Sequence, residues 1–494
     1  MLGHAMAIGL RDKYGVTEFC GYTDTHAALS FLKNQSEILY STLLVDVDLH
    51  EKYRTEEIDT EFINSLEREY GIPSLWPLMT LDRVLMQSQL VREYPYSEPM
   101  YDHDDLKRIL QIKARAIIEM LKKERPDFVF IFVIGGHYSY LLYQIAKKMG
   151  IPTLVQNETR LNGFYSLTED YKHLTFAEEY FLKINNGVEK NDFENAGRKK
   201  LKEFQDAPTP PLDNCSPDMQ PINRRRQMSF LLPSKLIRSI RWFVTIVIRY
   251  IRSTKRTYMD ENPFWFLIDR IKRKCRVMRG FEDLYDEPKW NEPFAFYPLH
   301  YDPEIATLLL APYNTDQAAL ILQIAQSLPF NYKLYVKEHP AMMGYRPRSF
   351  YKKIKKMPNV KLIRPEFKSF AIIEKAKIIT TITGSAGWEA LLFKKPVVTF
   401  GSVFYNILSG ATRCTNLYEL PTIIKEKLER HSYNEQEIVN FISALLKEST
   451  PVDIIKLWSD NESDFATIVK KIMPYTDYLM EKYTEITSRD KQSS

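Results

Sequence analysis

Short apolar runs alternate with helix-like segments between residues 333 and 405 of the chain. The apolar runs cover residues 334–336, 360–363, 378–382 and 396–400. The helix-like segments between them cover residues 349–356, 369–376 and 385–394. This spacing predicts a parallel sheet with right-handed crossovers, and ligands of such sheets bind at the carboxyl ends of the strands. The polar residues that follow the runs are therefore expected to line one crevice: Lys337, His339, Thr383, Gly384 and Ser385.

A second, less regular pattern of the same kind precedes this region. Residues 42–47 and 128–134 are apolar enough to be buried parallel strands, and residues 106–123 have helical periodicity. Residues 153–155 resume a strand, whose carboxyl end carries residues 156–160 (QNETR). The pattern predicts an α/β protein with two Rossmann-like parallel-sheet domains facing a cleft, together with a basic helical insertion and C-terminal helices.

Composition places the domain boundaries. Residues 206–222 are rich in proline and polar residues, which is typical of a linker. We predict four parts: an N-terminal Rossmann-like domain at 1–205, a linker with the basic insertion at 206–290, a C-terminal Rossmann-like domain at 291–420, and C-terminal helices at 421–494. The N-terminus has no sustained apolar core and is not expected to be a signal peptide. It resembles a glycine turn entering a helix without a preceding strand, so the start is either truncated or unusual.

The overall composition is that of a soluble globular protein. The 494 residues are 44% hydrophobic and 27% charged, and the net charge of +5 does not indicate a nucleic-acid partner. The four cysteines are far apart, the histidines form no ligand motif, and neither a zinc site nor a disulfide framework is predicted. A reducing cytoplasm is the simplest compartment.

The basic insertion offers two interpretations. Residues 224–259 contain no acidic residue and mix arginines with Trp242, Phe243 and several isoleucines. The stretch is too short and too charged to span a bilayer, but a basic amphipathic helix suits peripheral contact with the inner face of an anionic membrane. The alternative is a helix packed at the domain interface with solvated arginines.

Each candidate site residue has a functional and a structural interpretation. His339 is predicted to donate to a phosphate oxygen, with Lys337 adding positive charge; otherwise it is a structural histidine at a strand end. Thr383, Gly384 and Ser385 form a small turn whose N–H groups and helix dipole suit phosphate, although Ser385 also suits a helix cap. Glu389 would accept hydrogen bonds from ribose hydroxyls, or would only compensate the helix dipole.

The acid–base group is predicted in the first domain. Glu158 follows a buried strand and should face the gap between the domains, while Asp46 and Asp48 are rivals at another strand end. Arg160 and His137 are candidates for binding the acceptor, and for Arg160 a surface ion pair is an equal alternative. No metal site is predicted.

The ordered motifs YVKEHP, PNV, TITGSAGWEAL and KPVVTFG, preceded by FYPLHYDPE, resemble the capsule polysaccharide biosynthesis protein family. The resemblance covers residues 294–406 well and the first domain loosely. That family includes bacterial Kdo transferases with a GT-B type architecture. The resemblance implies a CMP-activated sugar donor bound by the second domain, with His339 and Ser385 at the donor phosphate, and an acceptor glycan or glycolipid bound by the first.

The resulting hypothesis is a metal-independent glycosyltransferase of surface polysaccharide synthesis, which transfers Kdo or a related acidic sugar without a further cofactor. Two alternatives remain. One is a UDP-sugar 2-epimerase on the same fold, since residues 158–160 resemble the acidic-then-arginine segment of that active site. The other is a non-catalytic, membrane-associated scaffold of polysaccharide assembly.

Overall fold

The computed structural model describes residues 1–87, 99–208, 228–229, 232–252, 257–260, 262–460 and 464–493. It has α/β architecture with parallel strands in both halves of the chain, as the sequence predicts. Most of the predicted linker, together with Cys215, Arg224–226, Lys255 and Arg256, lies outside the described residues.

Eleven strands are named here in chain order. They are β1 (Phe19–Thr23), β2 (Tyr40–Val45), β3 (Val129–Ile131), β4 (Thr153–Glu158), β5 (Tyr165–Thr168), β6 (Phe294–Pro298), β7 (Lys333–Lys337), β8 (Val360–Ile363), β9 (Ile378–Thr381), β10 (Val397–Thr399) and β11 (Ala411–Arg413).

The helices that precede the second sheet are α1 (Leu2–Tyr14), α2 (His26–Lys33), α3 (Asp46–His50), α4 (Thr60–Glu69), α5 (Trp76–Leu81), α6 (Arg83–Gln87), α7 (His103–Glu124), α8 (His137–Lys148), α9 (Thr175–Asn185), α10 (Glu194–Asp206), α11 (Pro233–Arg252) and α12 (Pro263–Arg279). Those that follow β6 are α13 (Ile305–Leu310), α14 (Gln317–Ser327), α15 (Arg348–Ile354), α16 (Ser369–Lys375), α17 (Ser385–Leu392), α18 (Leu420–Arg430), α19 (Glu435–Lys447), α20 (Ile454–Trp458) and α21 (Phe465–Ser493).

The second sheet has six parallel strands in the order β11-β10-β9-β6-β7-β8. Its strands coincide with the predicted apolar runs because every inward and outward side chain of β9 and β10 is buried, as expected for a sheet covered on both faces. Strands β7 and β8 follow β6 on one side, whereas β9, β10 and β11 lie on its other side, so the strand order reverses between β6 and β9. This brings the ends of β6, β7, β9 and β10 to one edge.

The strands of the first half lie in two smaller sheets. β1 and β2 are parallel, β3 and β4 are parallel, and β5 joins β4 in antiparallel register. Two predicted strands differ in their limits. The strand expected at 42–47 ends at Val45, because Asp46 begins α3, and the strand expected at 128–134 ends at Ile131, beyond which Val133 is exposed.

The N-terminus begins with α1 and not with a glycine turn. Gly3 and Gly9 lie inside this helix, and β1 follows it instead of preceding it. At Gly9 a Cβ atom would come 2.6 Å from the sulfur of Met473 on α21, so the absent side chain allows close packing of these two helices. The prediction of a turn at this position is wrong, because glycine does not by itself exclude a buried helix.

Helices from each half pack on the other half. One hydrophobic core joins Leu174, Phe181 and Leu201, on or beside α9 and α10, to the second sheet and to Phe441 of α19. Another joins α1 and β5 to Ile468, Tyr475 and Leu479 of α21. The domain limits at residues 205, 290 and 420 stay predictions, and the packing crosses them in both directions.

Candidate functional site

The turn between β9 and α17 forms the centre of the candidate site. Gly384 is the N-cap of α17, so the first N–H groups of this helix point out of the strand end, where an anion would be favoured. The backbone oxygen of Gly384 accepts a hydrogen bond of 2.7 Å from the hydroxyl of Tyr405. The hydroxyl of Thr383 is buried and has no hydrogen-bond partner among the described residues. A buried polar group without a partner is costly, and a ligand at this turn would satisfy it.

His300 contacts the end of β9, just before the turn. Its Nε2 atom lies 3.1 Å from the backbone N–H of Ile382, from which it accepts, and 3.0 Å from the Thr381 hydroxyl. Burial, with smaller effects from His339 and Arg346, lowers the pKa of His300 to about 3, so the ring is neutral and able to accept the N–H. His300 lies within the FYPLHYDPE motif, but its role beneath the turn depends on contacts 80 residues away and was not predicted.

Glu389 is buried one turn into α17. Its burial raises its pKa to about 7, and the hydrogen bond with Ser385 and the charges of Arg160 and Lys337 only partly offset this. Glu389 is therefore near three other predicted site residues at once, of which Arg160 comes from the first half. A carboxyl group poised near neutral pH in a cleft is characteristic of functional sites.

Lys337 and His339 follow β7 at the same edge. Lys337 is buried and donates a hydrogen bond of 2.8 Å to the hydroxyl of Ser369, and burial lowers its pKa to about 8 despite the nearby Glu389. His339 is half-buried; its Nδ1 atom accepts from the N–H of Ala341, and its ring meets Tyr301 edge-on at 5.5 Å. Glu338 points away into a buried cluster with Arg346 and Tyr351.

The first half contributes the loop after β4. Arg160 lies 2.9 Å from Glu158 in an ion pair, and its charge also affects Glu389 and Tyr405 of the second half. Its backbone has φ 59, a left-handed conformation that is uncommon for a non-glycine residue and is found mostly where the surroundings enforce it. The structure thus brings Glu158 and Arg160 to the second half's strand ends.

A cavity of about 220 Å³ opens beside Arg160. The loop at Asn162, helix α10 with Lys200, and helix α17 with Trp388 form its walls. Its lining combines apolar side chains with Arg160, Lys200 and the acidic Glu203, which forms an ion pair with Lys200. We find no group of three or more His, Cys, Asp or Glu side chains that could hold a metal ion within the described parts of the chain.

His137 lies elsewhere, buried in the first half. Its Nδ1 atom is 2.6 Å from Asp82, and its Nε2 atom is buried with no hydrogen-bond partner in the part of the chain that the structure describes. Because the ring is enclosed, the structure does not place it at the cleft surface with Arg160. Asp82 was not predicted, since no local motif links two residues 55 positions apart.

The rival carboxylates also lie in the first half. Asp46 is fully buried and accepts hydrogen bonds from Tyr22, from Lys113 at 2.9 Å, and from Tyr258. Burial would raise its pKa, but Lys113, His137 and the two tyrosines lower it overall. Asp48 is exposed and lies 2.6 Å from His26. Neither is among the residues around Glu389.

The second half is thus a parallel α/β domain in which a turn at the strand ends leads into the N-terminus of a helix. Nucleotide-binding domains use this arrangement. Within this class, residues 285–440 match the capsule polysaccharide biosynthesis protein family. The resemblance inferred from the motifs is confirmed over these residues.

Individual relatives are more distant. A UDP-N-acetylglucosamine--N-acetylmuramyl-(pentapeptide) pyrophosphoryl-undecaprenol N-acetylglucosamine transferase from Thermosipho africanus is 28% identical over 109 residues, which are 20% of this chain and 31% of the relative. The chain therefore spans about a third of the length of the curated relative that it matches.

Two solved structures are similar to parts of this chain. The beta Kdo 2,7 transferase KpsC of Thermosulfurimonas dismutans is 13% identical with a TM-score of 0.35, over 81% of this chain and 96% of its own. A UDP-GlcNAc 2-epimerase from Methanocaldococcus jannaschii is 11% identical with a TM-score of 0.24, over 87% and 99%. A transferase and an epimerase both occur among the similar structures, so these similarities do not distinguish the two reactions.

Proposed function

We propose that this protein is a glycosyltransferase of GT-B type that acts in surface polysaccharide synthesis. It would transfer Kdo or a related acidic sugar from a CMP-activated donor to a glycan or glycolipid acceptor. The observation that carries the proposal is the position of buried Glu389 beside the turn of α17, where it hydrogen-bonds Ser385 and is near enough to Lys337 and Arg160 for their charges to act on it. The family match at residues 285–440 supports the role in capsule synthesis.

In this proposal the second half binds the donor. The N–H groups of the turn at Gly384 and Ser385, with the hydroxyl of Thr383, bind the donor phosphate. His339 donates to a phosphate oxygen and Lys337 supplies positive charge. Glu389 accepts hydrogen bonds from the ribose. These groups stabilise the negative charge that builds on the phosphate as it leaves.

The first half would provide acceptor binding and the base. Glu158 takes the proton from an acceptor hydroxyl, whose oxygen forms a bond to the anomeric carbon of the sugar. The bond from that carbon to the phosphate oxygen breaks, and the nucleotide leaves with its electron pair. Arg160 binds an acidic group of the donor or the acceptor; His137, held by Asp82, would act in acceptor binding only through neighbouring residues.

A membrane location fits a lipid-linked acceptor. We include in the proposal a peripheral contact at the inner face of the cell membrane through residues 224–259, of which 228–229, 232–252 and 257–259 are described. Among the described residues, no helix is both long and apolar enough to cross a bilayer.

Calorimetric titration of the full chain with CMP, CDP, UDP and GDP tests the donor. We expect selective binding of CMP that His339→Ala weakens by about tenfold, the loss of a charge-assisted hydrogen bond. The exposed Lys425→Ala, in the same half, is the control and should bind as the wild type does. Preference for UDP would move the proposal to a UDP-sugar enzyme, and the absence of binding to any nucleotide would favour the scaffold.

Metal-independence has its own test. The transferase proposed here should retain full activity in EDTA, because protein groups meet the phosphate charge. Loss of activity in EDTA that magnesium restores would contradict this part of the proposal.

The ion pair of Glu158 and Arg160 at the cleft keeps a 2-epimerase as the second candidate. An epimerase converts its nucleotide sugar without an acceptor, whereas the transferase does not. Product analysis of a UDP-sugar incubated without acceptor therefore separates them.

A further inference from the structure

Helices α11 and α12 carry a large apolar surface that the rest of the described protein does not cover. None of the side chains of α11 is buried, although the helix is 20 residues long. Ile237, Ile240, Val244, Ile248 and Ile251 recur at intervals of three or four residues and form one stripe, in which Ile251 is 65% exposed. A stripe of this width normally faces a protein core.

The second helix continues the same surface. On α12 the exposed apolar side chains include Phe264, Trp265, Ile268 and Ile271, of which Trp265 is 55% exposed. The two helices contact each other through Trp242 and Phe266, with ring centres 5.4 Å apart, and through Phe243 and Phe264, with ring centres 6.2 Å apart. The exposed apolar residues of this helix pair are together called the α11–α12 surface.

Charge selects what this surface can meet. Helix α11 has five basic and no acidic residues, and α12 has six basic residues and the single acid Asp269. The arginines of α11, at 238, 241, 249 and 252, lie along one border of the isoleucine stripe, since Arg241 and Arg252 follow Ile237 and Ile248 by one helical turn. Apolar side chains bordered by cations, with aromatic rings among them, match the boundary between the acyl chains and the anionic headgroups of a membrane.

The helix pair is fixed to the body of the protein at two points. Tyr258, between the two helices, is buried; its ring stacks on His50 at 3.8 Å and its hydroxyl donates to Asp46. At the other end Val277 is buried beside Gly344, and the guanidinium of Arg273 donates a hydrogen bond of 2.6 Å to the hydroxyl of Tyr345. Docking through this pair would therefore hold both halves at a set orientation to the bilayer.

We propose that the α11–α12 surface docks this protein on an anionic phospholipid bilayer. This proposal extends the membrane contact that the proposed function includes, and its biological purpose rests on that function. Its test needs neither a sugar donor nor an acceptor. Five cations on α11 prevent the helix from crossing the bilayer, and they place it in the plane of the headgroups instead.

Flotation with lipid vesicles is the test. The full chain should float with vesicles of phosphatidylcholine mixed with phosphatidylglycerol, not with phosphatidylcholine alone, and added salt should weaken the binding. Val244→Asp with Ile248→Asp, or Arg238→Glu with Arg241→Glu, should lower the partition coefficient by roughly tenfold or more. Since α11 buries none of its side chains, neither variant should change the melting temperature.

Two controls match these changes in chemistry. Phe330→Asp places a charge at a fully exposed phenylalanine elsewhere, and Lys425→Glu reverses an exposed cation on α18; both should bind vesicles as the wild type does. A wild type that binds neither vesicle, or a Val244→Asp, Ile248→Asp variant that binds fully, overturns the proposal. So does a wild-type dimer that this variant dissociates without any vesicle binding, because the surface would then be covered by a second copy. Vesicle binding together with failed nucleotide titrations would overturn only the transferase.

Discussion

Glu389 gives the candidate site a pH dependence that can be measured. Its pKa of about 7 means that the free protein holds a neutral carboxyl below that pH and a carboxylate above it. Only the carboxylate accepts hydrogen bonds from two ribose hydroxyls. We therefore expect nucleotide affinity to rise as the pH increases through 7, and Glu389→Gln to abolish this rise and to lower the affinity at pH 8 by about tenfold. Calorimetric titration at several pH values measures both effects.

The same group makes a linked prediction about stability. The unfolded chain ionises this carboxyl near its ordinary pKa of 4.5, whereas the folded protein does so only near 7. Between these pH values the folded state binds one proton more than the unfolded chain. The free energy of unfolding therefore falls as the pH rises from 4.5 to about 7, by about 1.4 kcal/mol for each unit of pKa difference. Glu389→Gln should remove this slope in urea titrations, while Glu374→Gln, at an exposed site of the same half, should keep it. An unchanged slope in Glu389→Gln would show that the carboxyl is not buried as described.

The buried pair of Lys113 and Asp46 is a second prediction at the scale of the residue. Both side chains are inaccessible to solvent, and Asp46 also holds Tyr258 between α11 and α12. Lys113→Met leaves an unpaired buried carboxylate, which should cost about 3–5 kcal/mol in urea unfolding. Lys113→Met with Asp46→Asn should recover most of that loss. Lys122→Met, exposed on the same helix, is the control; an equal loss there would mean that charge pairing is not the cause.

At the scale of the element, uninterrupted apolar runs were the reliable signal. They located β6 to β10 because a strand buried on both faces needs apolar residues at every position. The same patterns missed β1, whose sequence FCGYT is only half-buried, and β11, which lies at the sheet edge. The turn after β9 could be located from its small residues. The residues that support it or lie buried in the first half, such as His300, Asp82 and Tyr258, could not, because their contacts join positions 55 to 212 residues apart.

Gly387 tests the turn of α17 as an element. A Cβ atom there would come 2.3 Å from the hydroxyl of Tyr405, the group that holds the Gly384 carbonyl. Gly387→Ala must therefore shift the turn, and we expect nucleotide affinity to fall by about tenfold or more, since anion binding depends on the aim of its N–H groups. Tyr405→Phe in the same chain removes the hydroxyl that the new methyl group meets and should restore part of the affinity. Wild-type binding by Gly387→Ala would remove this turn from the site.

At the scale of the whole molecule, the two halves are joined by more than a cleft. Helices α9 and α10 come from the first half and pack on the second sheet, while α21 comes from the end of the chain and packs on α1. The amphipathic patterns of these helices show that each has an apolar face, but not which half covers it. Arg160, in the loop between β4 and β5, is thereby near Glu389 on α17 of the second half.

Because of this exchange we expect the two halves to unfold together. Phe181 on α9 is buried against Phe441 on α19, with ring centres 5.2 Å apart. Phe181→Ala should cost about 3–5 kcal/mol, the usual loss for a large core side chain, and should shift a single transition. Tryptophan fluorescence and far-ultraviolet circular dichroism, followed through the same urea titration, should coincide. Phe330→Ala, at a fully exposed position, should leave the transition in place. Two separate transitions, of which Phe181→Ala moves only one, would show that each half is stable alone and that the cleft between them is free to open.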